Sequence, residues 1–76
     1  MPRYFFNVRA PGFEETDISG RRCANDVAAL AHAFELAGGL VREQLERLDY
    51  GCRGEVQVED EAHREVMVLP VRAAAY

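Results

Sequence analysis

A long helical pattern in the middle of the chain is the feature that most constrains this fold. The apolar positions recur alternately four and three residues apart, at Val27, Ala31, Phe34, Gly38, Val41, Leu45 and Leu48. This spacing predicts one face of a helix of about seven turns. Asn25 is a suitable N-cap and Gly51 a suitable stop. A chain of 76 residues has room for this helix and one sheet, so we expect a single domain over residues 1–76.

Two consecutive glycines, Gly38 and Gly39, lie inside the helical pattern. Each costs about 1 kcal/mol relative to alanine in a helix interior, so a kink at this pair is one alternative. The apolar stripe keeps its phase across the glycines, and we therefore predict one continuous helix.

The segments on either side of the helix alternate between apolar and polar residues, as strands do. The predicted strands cover residues 3–9, 13–18, 55–59 and 65–71. Residues 72–76 are typical of a frayed tail. The order of elements predicts an α+β fold, ββαββ, with one long helix packed across an antiparallel sheet. Tyr4 or Phe6 and the valines at 56, 58, 66 and 68 are predicted to form the core with the helical stripe.

The composition excludes several classes of function. Thirteen acidic and nine basic residues give a net charge of −4, which disfavours nucleic acid and anionic membranes as partners. All nine basic residues are arginine, so lysine-based catalysis is excluded. No stretch approaches the ~20 apolar residues of a membrane span, and the short apolar run near the start does not resemble a signal peptide. We therefore expect a cytoplasmic protein.

Short motifs occur in a characteristic order along nearly the whole chain. They are the opening Met-Pro-Arg-Tyr-Phe-Phe-x-Val, the turn Asp17-x-x-Gly20, the helix start Asn25-Asp26-Val27-Ala28-Ala29, and the closing Val56-x-Val58-x-Asp60-Glu61 and Val66-x-Val68-Leu69-Pro70. Together they resemble a family of very short bacterial proteins classed as a domain of unknown function. The resemblance implies a free-standing ββαββ domain with no established activity. Members of that family typically place a glycine in the last hairpin turn, where this chain has residues 61–64.

The residues that most often carry catalysis have simpler structural interpretations here. Cys23 is either a thiolate near a helix N-terminus or a small apolar residue that packs the helix entry, and the resemblance favours the second. A disulfide to Cys52 would have to span a helix of about 36 Å, whereas the Cα atoms of a disulfide lie within about 7 Å of each other.

The titratable side chains do not form a predicted metal or catalytic site. His32 is placed on the polar helix face and His63 in a turn, and both are predicted to be solvated. The acidic clusters at 14–17 and 59–61 lack the spacing of a calcium loop. We therefore expect no metal, no cofactor and no enzymatic activity.

Two apolar surfaces are predicted to contact another chain. A second helical stripe, on the side opposite the predicted core face, comprises Ala29, Ala33, Leu36 and Leu40. A patch on the sheet face away from the helix comprises Phe5, Met67 and Leu69. Scattered apolar residues are common on protein surfaces, but a helix resting on one sheet needs no leucine on its far side. We predict a homodimer or small homo-oligomer, with the helical stripe slightly preferred as the interface.

These observations favour a non-catalytic protein-interaction or self-associating module. The alternative is an antitoxin-like or regulatory subunit that binds a basic partner protein through its acidic surface. The opening strand, turn and helix are similar in topology to HicB-type antitoxins, a likeness at the level of the fold only. A third hypothesis is a small enzyme or redox sensor that uses Cys23.

Overall fold

The computed structural model of the chain describes residues 1–46 and 52–73. One helix and five strands follow in the order β1 (Arg3–Ala10), β2 (Phe13–Glu15), β3 (Arg21–Arg22), α1 (Asp26–Glu46), β4 (Cys52–Glu59) and β5 (Glu65–Ala73). The predicted α+β fold, with one helix and an antiparallel sheet, is confirmed. The short strand β3 is an addition to the predicted order.

The two interior strands of the sheet, β1 and β4, lie on opposite sides of the helix in the sequence. The order of the four main strands is β2-β1-β4-β5, and β3 pairs with the start of β1. The β1–β4 ladder runs from the pair Phe5 and Glu59 to the pair Arg9 and Glu55. β1 and β4 each have neighbours on both sides and form the centre of the sheet, and the helix lies closest to β4 and β5.

The second strand ends earlier than predicted because Asp17 holds the chain in a turn. Its carboxylate accepts hydrogen bonds from the backbone N–H of Phe6 at 3.1 Å and of Gly20 at 2.9 Å. The N–H of Asp17 donates in turn to Asn7 Oδ1 at 2.9 Å. Because these bonds hold the backbone at Asp17 in a turn, it cannot continue the ladder with β1, and β2 ends at Glu15.

The helix covers the face of the sheet that carries Tyr4, Phe6, Val56 and Val58, all of them buried. These four predicted core residues are confirmed. The prediction is wrong for the alternate residues of β5, Val66 and Val68, which are exposed. Val68 lies opposite Gln57 in the ladder, on the face away from the helix. Met67 and Leu69, opposite Val58 and Val56, face the helix instead.

The helix presents to the sheet the opposite side from the one predicted. The buried helical residues are Ala29, Ala33, Ala37 and Leu40. Val27 and Phe34, predicted to lie in the core, are 75% and 58% exposed. Both stripes have the same helical period, so spacing cannot choose between them. The alanine side fits because the aromatic and branched side chains of the sheet already fill the space between the layers.

The start and the continuity of the helix follow the prediction. Asn25 caps the helix, because its Oδ1 accepts a hydrogen bond from the N–H of Ala28 at 2.9 Å. The helix continues through Gly38 and Gly39 to Glu46. The predicted stop at Gly51 lies outside the described residues, as does Leu48 of the predicted stripe.

The last strand is longer than predicted. Arg72 pairs with Arg53 and Ala73 with Cys52 in the β4–β5 ladder, so the prediction of a frayed tail is wrong for residues 72 and 73. Residues 74–76 lie outside the described part of the chain.

The turn between β4 and β5 is held by Asp60. Its Oδ1 accepts hydrogen bonds from the N–H of Ala62 at 2.9 Å and of Arg64 at 3.0 Å. These bonds, above all the one from Arg64, lower the pKa of the Asp60 carboxyl. His63 adopts a left-handed φ of 60°, a conformation for which glycine is better suited. Polar contacts from Asp60 thus close this turn, at a place where members of the family that the chain resembles typically have a glycine.

Tyr4 ties the first strand to the start of the helix. Its hydroxyl donates a hydrogen bond of 2.6 Å to Asp26 Oδ1. The hydrogen bond and, to a lesser degree, burial raise the pKa of Tyr4 from 10.0 to about 12. Since the pKa is raised in the folded state, the stabilisation by neutral Tyr4 is complete below pH 10 and is lost as the pH rises towards 12.

We expect this titration to be visible in the tyrosinate absorbance. One of the three tyrosines should ionise only near pH 12, and Tyr4→Phe should remove that late transition. Asp26→Asn should move it towards the ordinary pKa, because the charged acceptor is lost. A late transition that persists in Tyr4→Phe would contradict the assignment.

A glycine in β4 permits the close contact between the two central strands. A Cβ at Gly54 would lie 2.5 Å from the backbone oxygen of Arg9 and 3.0 Å from Leu40 Cδ2. We expect Gly54→Ala to lower the free energy of unfolding by about 1–3 kcal/mol, since a backbone atom of the sheet must shift. Chemical denaturation measures the change.

The matched control is Gly39→Ala, because a Cβ at Gly39 meets no atom within 4 Å. This substitution should raise the free energy of unfolding by up to about 1 kcal/mol through helix propensity. Equal destabilisation by both substitutions would contradict the packing described at Gly54.

Candidate functional site

The helical stripe predicted as an interface lies in the core of the chain itself. Ala29 and Ala33 are 0% exposed, Leu40 is buried, and Leu36 is half-buried against the same cluster. The prediction that these four residues form an outward contact surface is wrong. The reason is the reversed side of the helix, which turns this stripe towards the sheet.

The predicted sheet patch is not brought together either. Met67 and Leu69 pack against the core on the helix side, so their assignment to the open face is wrong. Phe5 does lie on the face away from the helix, but it is buried. The ring of His63 covers it, with the two ring centroids 4.3 Å apart.

The reversed helix leaves a different apolar surface exposed. We call it the outer stripe, and it consists of Val27, Ala31, Phe34 and Gly38. At about 100° per residue these positions lie within about 60° of one another, on the side opposite Ala29 and Leu40. Leu30 adds a partly exposed apolar side chain at its edge. The sequence pattern assigned this apolar stripe to the core together with Val41 and Leu45. Val41 is half-buried and packs against the core cluster, and the side chain of Leu45 lies outside the described residues.

The two glycines of the helix have no role in the packing of the described residues. A Cβ built on Gly38 or on Gly39 meets nothing within 4 Å, and neither residue has a positive φ. Gly54, in contrast, is needed for a close approach. Glycine at Gly38 therefore leaves a shallow depression in the outer stripe at a cost in helix stability.

Charged residues border the outer stripe on one side. Glu35 and Arg42 are both exposed and lie seven positions apart, so they share one flank of the helix. Glu35 Oε2 also lies 3.5 Å from His32 Nδ1. The surface is thus an apolar strip with one acidic and one basic group along the same edge.

His32 is not the solvated surface residue that the sequence predicts. Its ring packs edge-on against Phe6 with the centroids 4.7 Å apart, and its Nδ1 is buried without a hydrogen-bond partner. The residue lies beside the core because the helix is turned. His63 occupies the predicted turn and is exposed.

The titratable groups are dispersed over the surface. Within residues 1–46 and 52–73, no three His, Cys, Asp or Glu side chains are placed to hold a metal ion. Asp17 and Asp60, one from each acidic cluster, use their carboxylates to hold turns. The absence of metal, cofactor and catalysis stays a prediction.

Cys23 packs the entry to the helix. It is buried with Tyr4 and Phe6 in the core cluster, and its thiol is free. The interpretation of Cys23 as a small apolar residue is the one that this position supports. Since this thiol is free, Cys23 forms no disulfide with Cys52, whose own side chain lies outside the described residues.

Together, these features define a small α+β domain whose single helix is apolar both towards the sheet and towards solvent. The profile of the family described as Domain of unknown function (DUF6894) matches residues 3–72. The chain therefore belongs to this family, which confirms the resemblance to a domain of unknown function.

Comparison with curated proteins and with solved structures gives no significant match. No helix in the described part of the chain has the length and apolar character needed to cross a lipid bilayer.

The burial of Cys23 predicts a protected thiol. In a Cys52→Ser variant, Cys23 carries the only remaining thiol, and we expect it to react with a thiol-specific disulfide reagent only as fast as the domain opens. Denaturant should accelerate the reaction strongly. The measurement is the rate of thiol modification at neutral pH, with Cys23→Ser as the reciprocal variant.

Rapid modification of Cys23 in the native protein would contradict this expectation. Such a result would favour the hypothesis of a reactive cysteine near the helix N-terminus.

Proposed function

We propose that this protein is a non-catalytic self-associating module whose outer stripe packs against the same stripe of a second copy. The observation that carries the proposal is the exposure of Val27 and Phe34, at 75% and 58%, on a continuous apolar helix face. Scattered apolar residues need no partner, but a row of them along one helix face is typical of a contact surface.

The glycine in this stripe supports a helix as the partner. Gly38 serves no packing purpose in the described residues, although it costs about 1 kcal/mol relative to alanine. A second helix that crosses at Gly38 can bring its backbone close to this one. Burial of Phe34 and Val27 in the contact contributes about 25 cal/mol per Å² of apolar area.

The charges along the stripe favour a second copy in antiparallel orientation. In such a pair, with the two-fold axis at Gly38, residue 35 of one chain lies beside residue 41 of the other. Glu35 then approaches Arg42 of the second copy on one flank, and Phe34 approaches Val41 on the other. In a parallel pair the two-fold axis runs along the helices and places the Glu35–Arg42 flanks of the two copies on opposite sides of the contact, so this attraction is absent.

The contact is small, so we expect a weak dimer. A single helix face buries less than the about 1,600 Å² of a standard stable interface. Reversible association of this kind suits a module whose assembly depends on its local concentration. The buried thiol of Cys23 and the dispersed acids support a non-catalytic role.

Sedimentation velocity over a range of protein concentrations tests the proposal. We expect a monomer–dimer equilibrium that Phe34→Ser shifts to monomer, because the largest side chain of the proposed contact is lost. The matched control is Ile18→Ser, which removes an apolar side chain that is 89% exposed and outside the stripe. This control should leave the equilibrium unchanged.

A charge exchange tests the orientation. Glu35→Arg and Arg42→Glu should each weaken the dimer, and the double variant should restore it, since the reciprocal pairs are re-formed with reversed charge. A wild-type protein that stays monomeric up to millimolar concentration would contradict the proposal. A dimer indifferent to Phe34→Ser would place the contact elsewhere.

A further inference from the structure

A cleft of about 740 Å³ lies at the end of the sheet farthest from Arg3. Three neighbouring strands each contribute one arginine to its lining, Arg9 from β1, Arg53 from β4 and Arg72 from β5. Pro11, Gly54 and Pro70 form much of the remaining wall. Three arginines thus line one cleft in a chain whose net charge is −4.

The register of the sheet forces two of these arginines together. Arg53 and Arg72 are direct partners in the β4–β5 ladder, so their side chains leave the same face of the sheet. Like charges placed directly opposite each other destabilise a sheet. Arg9 pairs with Glu55, which lies two residues after Arg53 in β4 and on the same face of the sheet.

The acidic groups near the cleft do not neutralise it. Glu55 lines the cleft, and Glu14 Oε1 lies 3.5 Å from Arg9 Nε in a pair that is exposed on both sides. Exposed pairs of this kind contribute little. Within the described part of the chain, Arg53 and Arg72 take part in no ion pair.

We propose that this cleft binds a phosphomonoester, with the phosphate held between Arg53 and Arg72 and reached by Arg9. A guanidinium group presents a planar fork of donors that matches phosphate oxygens, and a dianion between two such groups removes their repulsion. The volume lies in the range of small-molecule sites. The aliphatic walls at Ala10, Pro11 and Pro70 suit the organic part of the ligand. The inference is independent of self-association, because the outer stripe lies on the helix.

Calorimetric titration with phenyl phosphate at constant ionic strength tests the proposal, with benzoate and inorganic phosphate as parallel probes. We expect saturable binding of phenyl phosphate, weaker binding of inorganic phosphate and still weaker binding of benzoate. Arg53→Gln and Arg72→Gln should each weaken the binding of phenyl phosphate by about tenfold or more, since a charge-assisted contact is lost. The matched control is Arg21→Gln. Arg21 lies in β3, beside the end of β1 that is farthest from the cleft, and this variant should bind as the wild type does.

Thermal unfolding separates a ligand site from a structural role of the arginines. Without phosphate, Arg53→Gln should melt at the same or a higher temperature than wild type, because a repulsion is removed. With phenyl phosphate, the wild type should gain stability and the variant should gain less at the same ligand concentration. Absence of saturable binding, equal binding of benzoate, or an equal loss in Arg21→Gln would overturn the proposal.

Discussion

The contact between the alanine side of the helix and the sheet determines most of this structure. Ala29 and Ala33 lie against the layer that contains Val56 and Val58, and all four side chains are 0% exposed. Alanine lets the helix axis approach the sheet, and Gly54 avoids a clash with Leu40 at the same interface. A close approach leaves no space between the layers for Phe34, so Phe34 and Val27 face solvent, while Leu40 fits beside the alanines.

The helix and four of the five strands were predictable from local patterns, but β3 and the side of the helix that faces the sheet were not. Asn25 and the alternation of residues 55–59 depend on neighbours in sequence. Two apolar stripes with the same period run along α1, and the choice between Ala33 and Phe34 depends on the volume that the sheet supplies. The prediction favoured the larger residues, and packing against Tyr4 and Phe6 selected the smaller ones.

The two candidate surfaces also depend on packing and strand register and not on local sequence patterns. The outer stripe was visible in the sequence as an apolar row, yet its exposure could be known only from the packing. The arginine cleft had no local signal, because Arg9 is separated from Arg53 by the entire helix, and the pairing of Arg53 with Arg72 depends on the hairpin register. An alternating pattern predicts that a strand exists but not which residue lies opposite.

The pairing of β1 with β4 has a consequence for the order in which the chain folds. Phe5 and Glu59 are ladder partners although most of the sequence lies between them. Forming this ladder therefore costs a large loop-closure entropy. The β1–β2 and β4–β5 hairpins are local and can form first. Until the two hairpins join, the aromatic strand β1 has an open edge. We therefore expect the central strands of the finished sheet to pair late, and until then β1 exposes an aromatic strand edge of the kind that promotes misassembly.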